Sequence, residues 1–267
     1  MDIFGFKGLL LLALVFVPLE LLLPAHRRPL LRPQWRTDLV YALLNRVPIG
    51  IGLAVLILGI TALAEQAVPA PVQAWVGSLP FVVQVVAAVV LADLGFYGMH
   101  RLFHTPLLWR FHAVHHSIEH LDWLAGHRVH PVDQVLTKAG SFLPVFALGF
   151  SEEAIAVYGF LYGWHSVLLH SNVRLPFGPL RWIVASPQFH HWHHANHREA
   201  WDKNFAGQVA AWDVLFGTYY VPGRSLPARY GTDDPVPDGY VKQLAYPFTA
   251  AAAPVADTAA QPFVQKA

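Results

Sequence analysis

Residues 81–104, FVVQVVAAVVLADLGFYGMHRLFH, decide how the chain is read. The run 81–99 carries a single charged side chain, Asp93, and is long enough to cross a bilayer core of about 30 Å. It ends on His100, with His104 one helical turn further on. An apolar span therefore delivers a histidine pair to one membrane face. A lone carboxylate inside such a span is costly and marks a site by default, which makes Asp93 a candidate for the same centre.

Outward from this stretch the histidines continue. Fifteen of the sixteen lie between His100 and His197. Beyond the His100/His104 pair come two runs of identical spacing, His112-Ala-Val-His115-His116 and His190-His191-Trp-His193-His194. Positions three and four apart share a helix face, so each run is expected to aim its imidazoles at one point. Neutral imidazole is the commonest side-chain metal ligand. Eight converging nitrogens are too many for one tetrahedral ion, which takes four, and suit two. One such pair alone would be ordinary filler; two matching triplets and a pair in a chain only 13% charged point to a metal centre.

The composition, 55% apolar with a mean hydropathy of +0.39, favours a membrane protein over a soluble domain, where about a quarter of residues are charged. Residues 3–23, 39–64 (trimmed by Arg46 and Pro48 to 47–64) and 81–99 read as apolar segments. A further block, 139–150 and 153–169, is broken at Ser151-Glu152-Glu153 and reads as a hairpin dipping into the bilayer. Pro18 and Glu20 suggest a kink or early exit in the first segment, and 66–80 reads as a short external loop. Arg27, Arg28, Arg32 and Arg36 place the loop after the first segment in the cytoplasm. The histidine runs then share that face. The expected fold is all-α: an integral membrane bundle of about four apolar segments with a cytoplasmic histidine-rich cap. Residues 1–80 form the anchor, 81–222 the histidine region, and 223–267 a loop and tail, with 222–240 a surface loop and the Ala/Pro-rich final stretch from Tyr246 disordered.

Several chemistries are excluded. No cysteine is present, which removes disulfides, thiolate metal sites and iron–sulfur clusters. A net charge of +1 offers no basic face for nucleic acid. The H-E-x-x-H string of zinc proteases is absent, and no Glu is followed three residues later by His, as soluble ferritin-like di-iron sites require. An all-nitrogen dinuclear site at a membrane surface remains.

The runs H-x-x-x-H, H-x-x-H-H and H-x-x-H-H resemble those of the fatty acid hydroxylase and sterol desaturase superfamily of membrane non-haem di-iron enzymes. The likeness extends to Asp93 and Tyr97 ahead of His100, to His130-Pro131, to His170-Ser171-Asn172, to Pro187 ahead of the last triplet, and to Asp202-Lys203-Asn204-Phe205 leading to Trp212–Thr218. It covers roughly residues 81–220. The resemblance implies His100, His104, His112, His115, His116, His170, His190, His193 and His194 as metal ligands, with His165, His130 and Asp93 as further candidates for the metal or its surroundings. It implies two iron ions, O2 as co-substrate, electrons from a separate donor protein, and hydroxylation or desaturation of a fatty acyl, sterol or similar lipid. Imidazole suits iron, whereas carboxylate-rich sites suit harder ions. Carotenoid ring hydroxylation and membrane metal handling are the alternative readings.

Ligating imidazoles normally give their second N–H to a carboxylate or carbonyl. Asp93, Asp122, Asp133, Asp202 and Asp213 are candidates for that role. His191 points about 100° away from its neighbours on a helix and reads as packing. His26 reads as interfacial, and His120, His127 and His197 as surface.

Overall fold

The computed structural model describes residues 6–249, and of residues 60–67 the backbone. Eleven α-helices follow one another in this region: α1 (Phe6–Leu22), α2 (Trp35–Leu44), α3 (Arg46–Ala67), α4 (Ala70–Gly77), α5 (Phe81–Phe103), α6 (Trp109–His116), α7 (Pro131–Ala147), α8 (Glu152–His170), α9 (Pro187–His193), α10 (Ala211–Leu215) and α11 (Tyr240–Ala245). Among the described residues there is no β-strand, only the isolated bridges Pro24–Val173 and Ala195–Tyr230. The expected all-α class holds.

The long helices pack around α5. Its most extensive neighbour is α7, which in turn packs on α3, and α8 lies on its other side. α5 and α7 approach closely because glycines meet: a Cβ at Gly95 would run into the Gly140 carbonyl. Small residues serve this purpose where apolar helices associate. Ala88 and Ala92 of α5, Val145 of α7 and Tyr158 of α8 are buried around that contact.

Among the described residues, α5 is the one helix long and apolar enough by itself to cross a bilayer. Only 28% of its apolar window is buried, unlike the core helix of a soluble domain. α2 and the first part of α3 (Arg46–Gly59), bent by 40°, pass the same test together. The bend falls at Asn45, whose Nδ2 donates to the Val129 carbonyl at 2.7 Å and whose Oδ1 accepts from Tyr240. Large apolar side chains are exposed along α1 (Leu10, Leu14, Leu21), α3 (Val47, Ile51, Val55, Leu58) and the start of α5 (Val82, Val86).

Some boundaries differ from the sequence expectation. α1 runs through Pro18, and Glu20 does not mark an exit. Its Oε1 accepts from the backbone N–H of Trp123 at 2.7 Å and of Asn172 at 2.9 Å, fastening α1 to the histidine-rich end. The 66–80 segment is not a loop but contains α4, with Pro71 at its permissive first turn. α7 begins eight residues before the apolar run because His130-Pro131 caps it, the His130 Nδ1 accepting from Val132 N–H at 3.2 Å. α5 continues to Phe103, so His100 rides on its last turn. Tyr246–Phe248, assigned to the tail, form a helical turn with Arg110 over the Tyr246 ring at 4.7 Å. The rest of the expected disordered tail, 250–267, lies outside the described residues.

Candidate metal centre

Four helix ends bring nine histidines together. The C-terminal end of α5 carries His100 and the capping His104, α6 carries His112, His115 and His116, α8 ends on His170, and α9 carries His190 and His193 with His194 at its cap. Short starts keep these elements local: Ser186 Oγ accepts from Phe189 N–H to begin α9, with Pro187 next. The nine are His100, His104, His112, His115, His116, His170, His190, His193 and His194, and they form two groups. His100, His104, His112, His116 and His193 make one, His115, His170, His190 and His194 the other; within each, the ligand-type nitrogens lie within 4.8 Å of one another.

Neither triplet converges on one point, contrary to the sequence expectation. α6 gives His112 and His116 to the first group and His115 to the second; α9 gives His190 and His194 to the second and His193 to the first. Helix rotation is the reason. Four residues turn the chain only about 40° from the starting direction, while three residues turn it about 60° the other way, so the i, i+4 pair stays together and the i+3 ring faces the neighbouring group.

The far side of most rings is fixed. His100 Nδ1 lies 2.7 Å from the Phe205 carbonyl oxygen, His115 Nδ1 2.9 Å from that of Arg128, His170 Nδ1 2.7 Å from that of Ser166 and His193 Nδ1 2.8 Å from that of Lys203. His112 Nδ1 lies 2.7 Å from Asp133 Oδ2, and His104 Nδ1 3.2 Å from Asp202 Oδ1. A carbonyl oxygen only accepts, so each ring facing one carries its proton on Nδ1 and a lone pair on Nε2. Nε2 atoms so fixed face each other, His115 with His170 at 3.1 Å and His100 with His112 at 3.0 Å, and His190 Nε2, whose own Nδ1 is buried without a partner, lies 2.9 Å from that of His170. Burial pushes His115 to about 3, and His112, His116, His190, His193 and His194 well below the usual histidine value, so added protons do not relieve the opposition. A cation does. Two metal–nitrogen bonds of about 2.1 Å at a right angle put their nitrogens about 3.0 Å apart, the spacing seen here. His104 Nε2, buried without a hydrogen-bond partner, is a further donor for such an ion. The donor set fits two nitrogen-ligated ions.

The remaining candidates lie elsewhere. Asp93 touches no histidine; its carboxylate accepts from the backbone N–H of Gly207, Gln208 and Val209 at 2.7–3.0 Å. Asp213 likewise accepts from Phe205 and Ala206 N–H. The two carboxylates pin the loop whose Phe205 carbonyl orients His100. His165 Nε2 bonds the Ala185 carbonyl at 2.9 Å, and His130 Nε2 the Leu244 carbonyl at 3.2 Å; neither joins the groups. His191, read as packing, is buried between Tyr230 and the Ser171 carbonyl, and His26 also reaches the Tyr230 hydroxyl at 2.8 Å.

Sequence reasoning missed a buried ionic chain beneath α6. Arg32 binds both oxygens of Asp122 at 2.7 Å and Asp38 at 2.6 Å, and Arg128 binds Asp38 at 2.6 Å. Arg32 is therefore not the free loop charge that the topology count took it for, and Asp122 faces Arg32 rather than a histidine. The chain holds Arg128, whose carbonyl orients His115.

Two approaches flank the histidines. A cavity of about 580 Å³ has His104, His116 and His193 in its floor and Asp202, Asp233 and Asp234 among its walls. Its outer wall comes from the 222–240 segment, read from sequence as surface loop. Between α1, α3, α7 and α8 lies a second cavity of about 270 Å³, and a third of about 180 Å³ shares Leu53, Lys138 and Tyr162 with it. None of the nine histidines lines these two, although Gly126 separates the second from the His170 ring, with room for no Cβ.

Known proteins resemble this chain. Ornithine lipid hydroxylase OlsE of Rhizobium tropici is 32% identical over 216 residues, 79% of this chain and 65% of that protein. Alkylglycerol monooxygenase of Homo sapiens is 31% identical over 145 residues, 54% of this chain and 32% of that protein. C-4 methylsterol oxidase erg25 of Schizosaccharomyces pombe is 29% identical over 154 residues, 52% of this chain and 49% of that protein. The chain thus matches just under two thirds of the first relative and a third to a half of the others. No solved structure matches it. The family described as fatty acid hydroxylase matches residues 85–218, the region from the first turns of α5 to the Asp213–Thr218 turn that contains both histidine groups, and the chain belongs to that family.

Proposed function

We propose that the chain is a membrane-embedded oxidoreductase that oxidises an unactivated C–H bond of a lipid at a di-iron centre. The observation that carries this reading is the facing of imidazole Nε2 atoms across 2.9–3.1 Å in two adjoining groups, with the Nδ1 of His100, His112, His115, His170 and His193 held on carbonyls or a carboxylate. His100, His104, His112, His116 and His193 would hold one ion, His115, His170, His190 and His194 the other. The relatives named above for ornithine lipid, alkylglycerol and methylsterol support a lipid as substrate.

Iron bound there supplies the reduction of O2 by electrons from a separate donor protein. For hydroxylation the balance is one C–H, one O2, two electrons and two protons giving one C–OH and one water. For desaturation the same oxidant removes two hydrogens and forms two waters with two further protons.

The chain's own residues do the positioning. Asp133 and the carbonyls of Phe205, Arg128, Ser166 and Lys203 keep the Nδ1 protons of His112, His100, His115, His170 and His193 in place, so that the Nε2 of each of these five is presented as a donor. Asp93 and Asp213 hold the Phe205 loop rigid. Phe103 and Phe205, both buried beside the first group, keep bulk water from that side, as oxygen chemistry in a closed site requires. The exposed apolar belt of α1, α3 and α5 seats the bundle in lipid, with the histidine end on the cytoplasmic face that Arg27, Arg28 and Arg36 indicate.

The test is lipid profiling of cells with and without the chain, with His193→Ala as control, alongside metal analysis of purified protein. A lipid that gains one oxygen or loses two hydrogens only with the intact chain, and about two irons per chain, is the expected result. Retention of the product by His193→Ala would overturn the reading.

A further inference from the structure

Unlike the second cavity, lined in part by Arg46 and Lys138, the cavity above the first histidine group is acidic. Three carboxylates, Asp202, Asp233 and Asp234, stand in its wall, and among the described residues no Lys or Arg does. Two tryptophans, Trp109 and Trp201, complete the wall, and aromatic faces beside carboxylates are the recognised surroundings of an ammonium ion. The carboxylates are held in place rather than neutralised as a set: Asp234 accepts from Trp109 Nε1 at 2.8 Å, Asp202 faces His104 Nδ1, and only Asp233 meets a guanidinium, that of Arg229. The orphaned Nε2 of His104, with its side chain 8% exposed, lies in the floor of the same space. At the rim, Pro106 is exposed and Trp201 is 49% exposed. An acidic, aromatic mouth with an apolar lip suits an amphiphile that is positively charged at its polar end.

We propose that this cavity binds the ammonium of a lipid with a cationic head group and holds the head-group end over the His104–His116–His193 floor. The carbon oxidised is then one next to the head, not one deep in the acyl chain. The binding half stands alone; the choice of carbon rests on the oxidase reading above and uses the same balance of O2, two electrons and two protons.

The test uses the full chain in phosphatidylcholine nanodiscs, titrated with n-octylammonium, n-octanol and octanoate and read by tryptophan fluorescence. A saturable response to octylammonium alone is expected, weakened about tenfold in Asp233→Asn/Asp234→Asn, since both side chains lose their charge while each Asn keeps an acceptor oxygen for Asn196 or Trp109. A saturable response to octanoate, or unchanged octylammonium affinity in the double variant, overturns the proposal. Products from cells are then mapped by fragmentation. Oxygen located on the head-group portion, with a raised KM and a preserved kcat in the double variant, is the expected pattern. Oxygen in mid-chain, or a KM that ignores the two substitutions, sinks this proposal and leaves the oxidase reading intact. Octylammonium binding without any oxidised lipid sinks the oxidase reading instead.

Discussion

His112 Nδ1 lies 2.7 Å from Asp133 Oδ2, and both side chains are buried. Thr137 Oγ1 donates to the other carboxylate oxygen at 3.1 Å, so the carboxylate is oriented before any ion arrives. A carboxylate behind a ligating imidazole raises its basicity, and losing such a partner typically lowers metal affinity 10- to 100-fold. Asp133→Asn is expected to lower iron affinity within that range, and Asp133→Ala to lower it further, read by competition with a chelator.

The glycines of α5 separate two effects. A Cβ at Gly95 meets the Gly140 carbonyl, whereas a Cβ at Gly98 meets nothing within 4 Å. Overpacking at a helix contact costs about 1–3 kcal/mol or more, while alanine improves an unobstructed helical position by about 1 kcal/mol. Gly95→Ala is expected to lower the unfolding midpoint and Gly98→Ala to leave it level or raise it, by thermal denaturation in detergent.

Asp38 serves two guanidiniums, those of Arg32 and Arg128, and is fully buried. Removing one partner from a buried ion pair costs about 3–5 kcal/mol because the remaining charge is stranded. Asp38→Ala is expected to destabilise the chain by that order, and Asp38→Ala with Arg128→Met to recover part of the loss. Iron content in both would report whether the Arg128 carbonyl still orients His115.

His165 and His170 sit on consecutive turns of α8, yet only His170 faces a histidine group. His170→Gln is expected to cost at least one iron per chain, and His165→Gln to leave the iron content unchanged while loosening the Ala185 turn. Equal loss in both would place His165 among the donors.

Acid should destabilise the fold. Burial holds His115 and His191 at about 3, with His112, His116, His190, His193 and His194 also depressed. An unfolded chain takes up protons at these sites below about pH 6.5 and the folded chain does not, so stability rises with pH. At about 3, His115 and His191 each cost about 2 kcal/mol at pH 5 relative to neutral pH, and the other five act in the same direction. The unfolding midpoint is expected to fall steeply between pH 7 and pH 5, with iron released over the same range.

Eight of the nine clustered histidines were legible because their spacing repeats, while His170 came only with the family resemblance, and the all-α class was legible because apolar runs lacked strand alternation. The division of each triplet between two groups was equally present in the 100° step of a helix, but it shows only once the facing helices are in place. Long-range pairings left no local trace: Arg32 with Asp122 and Arg128 with Asp38 are each 90 residues apart. Asp93 was marked correctly as a costly charge, yet its partners are the backbone amides of Gly207, Gln208 and Val209, which no side-chain pattern announces. The carbonyls that fix the rings are likewise invisible to a reading of residue types. The acidic wall of the large cavity lay in Asp233-Asp234, a pair that reads as ordinary loop until folded against Trp109.

α6 and α9 each contribute to both histidine groups, so neither helix can turn to suit one ion without moving donors of the other. An ion seated in the first position would set the pitch at which the second is received. Filling is therefore expected to be concerted, with singly loaded protein scarce at every iron concentration, and a lesion confined to one position should empty its neighbour as well.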